Sequence, residues 1–201
     1  MQIEARDRPA PYSGVNMPLF CALALFFSLL LNVPAAAESP LSWAQAAAVP
    51  DVSDITRAAP PERLSQALDG HWRGALHYRD YSSDKAVTLP TTLSIDDALR
   101  FAFTYDDGPG KMVRSNEQWS FDGAILNPGK AGKPLQVSLY RGNENGDLIL
   151  VALGSGVEND QPVELRLVVL RRGDTLSISR SSRLPQQEWL LRHVYRLTAR
   201  R

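Results

Sequence analysis

The residues of this chain with chemical reach are three histidines, a pair of adjacent aspartates, a serine-rich run and a set of aromatics. His193 shares strand parity with Trp189, Leu191 and Tyr195, which predicts that it points inward. A neutral imidazole there could ligate haem iron, although a hydrogen-bonded core histidine is the simpler reading. His71 and His77 share the other face from Trp72. Six residues of extended chain hold them ~20 Å apart, so they cannot share a metal ion. A zinc site needs three or four convergent ligands, and no such set is seen; no metal and no cofactor are expected.

Asp106 and Asp107 sit in Asp106-Asp107-Gly108-Pro109-Gly110-Lys111. Calcium loops and glycosidases use acids, but they need further oxygen ligands or a second carboxyl across a cleft. A hairpin turn accounts for the segment, and Asp80 and Asp84 read the same way. Ser177, Ser179, Ser181 and Ser182 lack a nucleophile-elbow context. No glycine-rich phosphate loop precedes a helix. No catalytic residue is therefore assigned. His193 with Tyr78 or Glu117 is the one polar grouping that a hydrolase or isomerase could use.

The aromatic set points elsewhere. Trp72, Tyr78, Phe101, Phe103, Tyr105, Trp119 and Tyr195 fall on one set of parities, together with Phe121 and Trp189. Aromatic lining with a few polar tips is how small-molecule pockets are built, but the same residues would also fill a small barrel. The candidate ligand-binding residues are Trp72, Tyr78, Phe101, Phe103, Tyr105, Trp119, His193 and Tyr195. Whether they line a hollow or pack a solid core is not a question parity can answer.

The elements that must position these residues begin at Gly70-His71-Trp72-Arg73-Gly74-Ala75-Leu76-His77-Tyr78-Arg79-Asp80-Tyr81. Here Trp72, Gly74, Leu76 and Tyr78 alternate with His71, Arg73, His77 and Arg79, as in a half-buried strand. Further strands are read around Val87–Ile95, with Pro90 marking an edge or bulge, Leu99–Tyr105, Val113–Phe121, and Leu135–Leu139. Leu148–Leu153 is apolar throughout and reads as a strand buried on both faces. Val163–Val169 alternates, and Arg172-Gly173-Asp174 makes a tight hairpin into Leu176 and Ile178. The last strand runs from about Glu188 to Leu197. Asn127–Gly132 and Gly142–Gly146 read as turns.

So many short strands without intervening helices predict antiparallel pairing, and a long meander must curl to hide its edges. The expected fold is all-β, an antiparallel up-and-down barrel of about 8–10 strands with a short N-terminal helix, favoured over a sandwich. That helix is read at Pro61–Leu68, with proline in its first turn; it could plug the end that Trp72 opens.

Upstream, Met17–Val33 is almost wholly apolar and leads to Pro34-Ala35-Ala36-Ala37-Glu38. Small residues at Ala35 and Ala37 predict a signal peptide over 1–37, cut after Ala37. Arg6 and Arg8 supply positive charge, offset by Glu4 and Asp7, and translation from Met17 is an alternative start. An uncleaved anchor is the rival reading, but the run is slightly short for a span of about 20 residues. Residues 38–66 form an Ala/Pro-rich arm with the short helix, and 67–201 the barrel. The mature chain is expected to be periplasmic or secreted, without a transmembrane span.

Cys21 is the only cysteine and lies within the leader, so the mature chain has no disulfide, thiolate metal site or cysteine nucleophile. The 22 basic and 22 acidic residues balance, and removing the leader leaves that unchanged. Nucleic acid is not an expected partner.

Gly70-His71-Trp72, after a helical turn, resembles the G-x-W element of lipocalins and other calycin-type barrels. The resemblance implies a cup of eight or ten strands able to hold a small apolar molecule, with the tryptophan at the closed end. It also implies an arginine of the last strand packed over that tryptophan, here Arg192 or Arg196, which with Trp72 would close the barrel. The T-D-Y signature of secreted lipocalins is not found. Gly70-x-Trp72-x-Gly74 is also similar to the opening of haem-binding nitrobindin-like barrels, with their glycine-rich continuation replaced by Ala75-Leu76-His77-Tyr78.

Two functions are thus expected of the chain. The first is an exported lipocalin-like barrel binding a small apolar or amphipathic ligand. The alternative is a non-catalytic envelope module with a packed core, meeting a protein partner through the arm.

Overall fold

A computed structural model describes residues 57–58, 60–80, 83, 85–129 and 132–200. The expected leader, its cleavage point and the arm as far as residue 56 lie outside the described residues.

A two-residue strand, β1 (Arg57–Ala58), precedes the helix α1 (Glu62–Leu68). Ten strands follow: β2 (Gly70–Asp80), β3 (Lys85–Ile95), β4 (Arg100–Asp106), β5 (Met112–Phe121), β6 (Ile125–Pro128), β7 (Leu135–Gly142), β8 (Leu148–Glu158), β9 (Gln161–Arg172), β10 (Thr175–Arg183) and β11 (Leu190–Ala199). Each pairs antiparallel with its chain neighbour, and β11 returns to β2, with His193 opposite Tyr78 and Leu197 opposite Gly74. The result is a closed ten-stranded up-and-down barrel. β1 lies outside that ring, paired with Arg141 and Gly142 of β7.

The seam between β2 and β11 is unusually close. A Cβ on Gly74 would stand 2.0 Å from the Arg196 carbonyl oxygen, so only glycine admits the last strand there. On the other side of β2, Pro90 lies one residue past the β3–β4 ladder, which starts at Thr91. Its missing N–H therefore deprives no neighbour. The Thr91 hydroxyl bridges the two strands, accepting from Leu76 N at 3.2 Å and donating to the Leu89 carbonyl at 2.8 Å.

One end of the barrel is shut by α1. Leu64, Ala67 and Leu68 are buried with Trp72, Leu93, Ile95 and Phe101 in one core. The carbonyls at the helix C-terminus find donors on strands, as chain ends that lack internal partners require. Trp72 Nε1 donates to Leu68 O at 2.9 Å, and Arg171 Nη1 donates to Ala67 O at 2.9 Å. The Arg171 guanidinium also lies 5.8 Å from the Trp72 ring centroid, a cation–π distance. The arginine over Trp72 thus comes from β9, not from the last strand: Arg192 pairs with Glu158 at the opposite end.

Two bulges reset the parity expected from sequence. In β7 the register slips between Val137 and Leu139, so Val137 and Tyr140 pack against the interior while Leu139 turns outward. In β11, Arg180 faces His193 but Ser181 faces Leu191, leaving Arg192 as the extra residue. Leu191 therefore falls in register with Ser181 and Arg166, on the outer face. Trp189 lies between two guanidinium groups, Arg166 and Arg183, each 4.5 Å from its ring. Trp189 and Leu191 thus leave the face that carries His193 and Tyr195.

β8 is buried on both sides from Leu148 to Ala152, as its apolar run predicts, but Leu153 at the end of that run is exposed. Leu148, Leu150 and Ala152 join the interior core. Ile149 and Val151 form a second cluster with Val168, Leu139 and Leu170.

Candidate functional site

The inward side chains divide into a buried floor and a half-buried upper set. Trp72, Phe101, Phe103 and Trp119 are all buried. Phe101 stacks on Trp119 with centroids 4.3 Å apart, and Phe103 lies 5.0 Å from Tyr195. These four of the eight candidate ligand residues fill space rather than border it.

Toward the mouth the same inward face opens. Along β3, Leu93 is 2% exposed, whereas Leu89 and Val87, on the same parity, are only half-buried. Leu76, Tyr78, Tyr105, Val113, Val137 and His193 are likewise half-buried, and Arg180 is exposed. An inward side chain that keeps accessible surface lies toward the open end of the barrel. Ten strands enclose a wider interior than eight, whose side chains just fill it, and this less tightly covered upper half is called the cup.

The wall beside the cup is also incomplete. β6 reaches only Trp119–Phe121 of β5, and β7 reaches only Leu153 of β8. Among the described residues, Met112–Gln118 of β5 and Gly154–Glu158 of β8 each pair on one side only.

Tyr105 and Tyr195 mark the boundary between floor and cup, with their hydroxyls 2.9 Å apart. Burial holds both phenols protonated: Tyr105 is pushed up to about 12 and Tyr195 well above its ordinary value. One hydroxyl donates to the other, which leaves the second with a proton to offer. His193 packs edge-on to Tyr195 at 5.6 Å. Burial, and then the nearby Arg180 charge, lower its pKa to about 4, so the ring is a neutral imidazole at pH 7. Tyr78, its cross-strand neighbour, is raised by burial and by the charges of Asp107 and Asp80.

Glu117 shares the inward face with Ser115 and Trp119, and accepts the Trp119 indole N–H at 3.0 Å. At the rim, Arg192 pairs with Glu158, whose Oε2 also accepts the Ser182 hydroxyl at 2.8 Å. Arg180 differs from these. It stands opposite His193 and Leu167, and no carboxylate among the described residues pairs with it.

His193 and Tyr78 are thus brought together, and Tyr105 and Tyr195 join them. Arg196 lies opposite Ala75 on the alternate parity of β11. Sequence reasoning passed over Arg180, Leu89 and Val137 as ligand candidates. The available signal for Arg180 was its parity with Leu176 and Ile178, hidden by the serines around it.

His71 and His77 are spent on the outer surface, hydrogen-bonded to Ser94 and Thr88 at 3.1 and 3.0 Å. The Asp106–Lys111 segment is a hairpin turn, with Asp107 N donating to Lys111 O at 2.9 Å and an Asp107–Lys111 ion pair. Among the described residues, no group of three or more His, Cys, Asp or Glu could hold a metal ion. Nor is any helix among them long and apolar enough to cross a membrane.

Comparison with protein-family models, with curated proteins and with solved structures yields no match. The barrel stands on its own residues. What the site can do follows from its geometry: a floor of stacked aromatics, apolar walls, hydrogen-bond donors near the floor, and access from above.

Proposed function

We propose that this protein is an exported, lipocalin-like barrel that holds a small apolar or amphipathic molecule in the upper half of its interior. The observation that carries the reading is the change along β3, where Leu93 and Thr91 are packed and Leu89, the next residue up on the same face, is half-buried. Export, to the periplasm or out of the cell, is supported by the apolar leader and its small-residue cut site. Apolar walls with a few convergent polar groups are the usual composition of a ligand site. The same gradient weighs against an interaction module with a solid core.

Titration with the uncharged fluorescent probe N-phenyl-1-naphthylamine tests the reading. Saturable uptake at one site per chain is expected, with binding weakened when Leu89→Trp fills the cup. Uptake that does not saturate, or that Leu89→Trp leaves unchanged, contradicts it.

A further inference from the structure

The charged groups of the cup do not all meet a partner of opposite sign. At the rim, Arg192 pairs with Glu158. Glu117 accepts the Trp119 indole N–H and keeps its negative charge on the inward face of β5. Arg171 is committed to the closed end, where it caps α1. Arg180 is a cation on the inward face below the rim that forms no ion pair with a carboxylate among the described residues, and it is exposed.

Its surroundings are donors as well. His193 lies directly across the β10–β11 ladder, and Tyr78 across the next one. A neutral imidazole carries one N–H, Tyr78 carries an O–H, and the Tyr105–Tyr195 pair retains one hydroxyl proton. A guanidinium among donors calls for a partner rich in acceptors, and charge-assisted bonds of this kind are the stronger ones. Below and beside it, Leu76, Leu89 and Val137 offer apolar wall.

We propose that the ligand is an amphiphile with an anionic, oxygen-bearing headgroup, seated with that headgroup against Arg180 and its apolar tail along Leu76, Leu89 and Val137. This rests on the cup being a ligand site, and it adds the sign of the ligand's charge. A cationic amphiphile of equal length is repelled at the same place.

Displacement of N-phenyl-1-naphthylamine by three single-chain amphiphiles, all below their micelle concentrations, separates the two claims. Dodecanoate is expected to displace the probe at a concentration about tenfold lower than 1-dodecanol, and dodecyltrimethylammonium only at a higher one. In Arg180→Gln the advantage of dodecanoate over 1-dodecanol falls to about twofold or less, while Arg180→Lys keeps most of it. Equal displacement by dodecanoate and 1-dodecanol in the natural protein overturns the proposal, as does an anion preference that survives Arg180→Gln. In both cases probe binding itself would still uphold the cup. A protein that takes up no probe at all defeats the cup and the headgroup site together.

Discussion

The hydroxyls of Tyr105 and Tyr195, ninety positions apart in sequence, meet at 2.9 Å. The contact ties β4 to β11 through the interior rather than around the wall. It sits where the stacked floor of Phe101 and Phe103 gives way to accessible side chains.

Removing either hydroxyl strands the other in a partly dry place. Tyr105→Phe and Tyr195→Phe are each expected to lower stability by about 1 kcal/mol, the usual net worth of such a bond. The double variant should cost less than the sum, and a double-mutant cycle from urea denaturation reads the difference. Strict additivity would mean that the two hydroxyls do not interact in solution.

Gly74 sets the closure. Because a Cβ there meets the Arg196 backbone at 2.0 Å, no rotamer change relieves Gly74→Ala, and β2 and β11 must part. The expected loss is about 3 kcal/mol, at the upper end for overpacking. Ala75→Ser, one residue along on the outer face, should stay within about 0.5 kcal/mol. Similar midpoints in urea for the two variants would show that the seam is looser than described.

The order of elements was legible because the alternation of Trp72, Leu76 and Tyr78, or of Val163, Leu165 and Leu167, survives wherever strands are regular. The plug was legible too, through the proline before Glu62 and the apolar spacing of Leu64 and Leu68. What defeated parity were the bulges. Leu139 and Tyr140 are both apolar, as are Leu190 and Leu191, so an inserted residue leaves no mark in the pattern. β6 escaped because four residues are too few to show alternation. Its start is fixed by Asp122 Oδ1, which accepts from Ala124 N and Ile125 N at 2.8 and 2.7 Å. The lipocalin resemblance puts the arginine over Trp72 on the last strand, and nothing in the sequence pattern says which strand reaches the closed end with a long side chain. Arg171 does so from the hairpin around Gly173, where its Nε also donates to the Gly173 carbonyl.

His193 predicts a dependence on acid. Its pKa is near 4 in the folded protein and about 6.5 in an unfolded chain. The unfolded state therefore takes up a proton between those values that the folded state refuses. The stability tied to the neutral ring is fully present above pH 6.5 and is lost progressively as pH falls toward 4, to a total of about 3 kcal/mol. The groups facing the ring are Arg180, Tyr78 and Tyr195, and the Arg180 charge adds to the effect of burial. Urea midpoints measured from pH 7 to 4.5 should fall less steeply in His193→Gln than in the natural protein. Parallel curves would show that the ring titrates alike in the folded and unfolded chains.

The division of the interior can be read most directly with a thiol reporter, since the natural chain has only Cys21. In a Cys21→Ser background, Thr88→Cys, Leu89→Cys and Leu93→Cys place one cysteine each on β3: outside, in the cup and in the floor. Alkylation by iodoacetamide follows thiol access. Leu89→Cys is expected to react within about tenfold of Thr88→Cys, and Leu93→Cys at least about 100-fold more slowly, limited by opening of the fold. Protection of Leu89→Cys equal to that of Leu93→Cys would mean a barrel filled from end to end, with no room for a ligand.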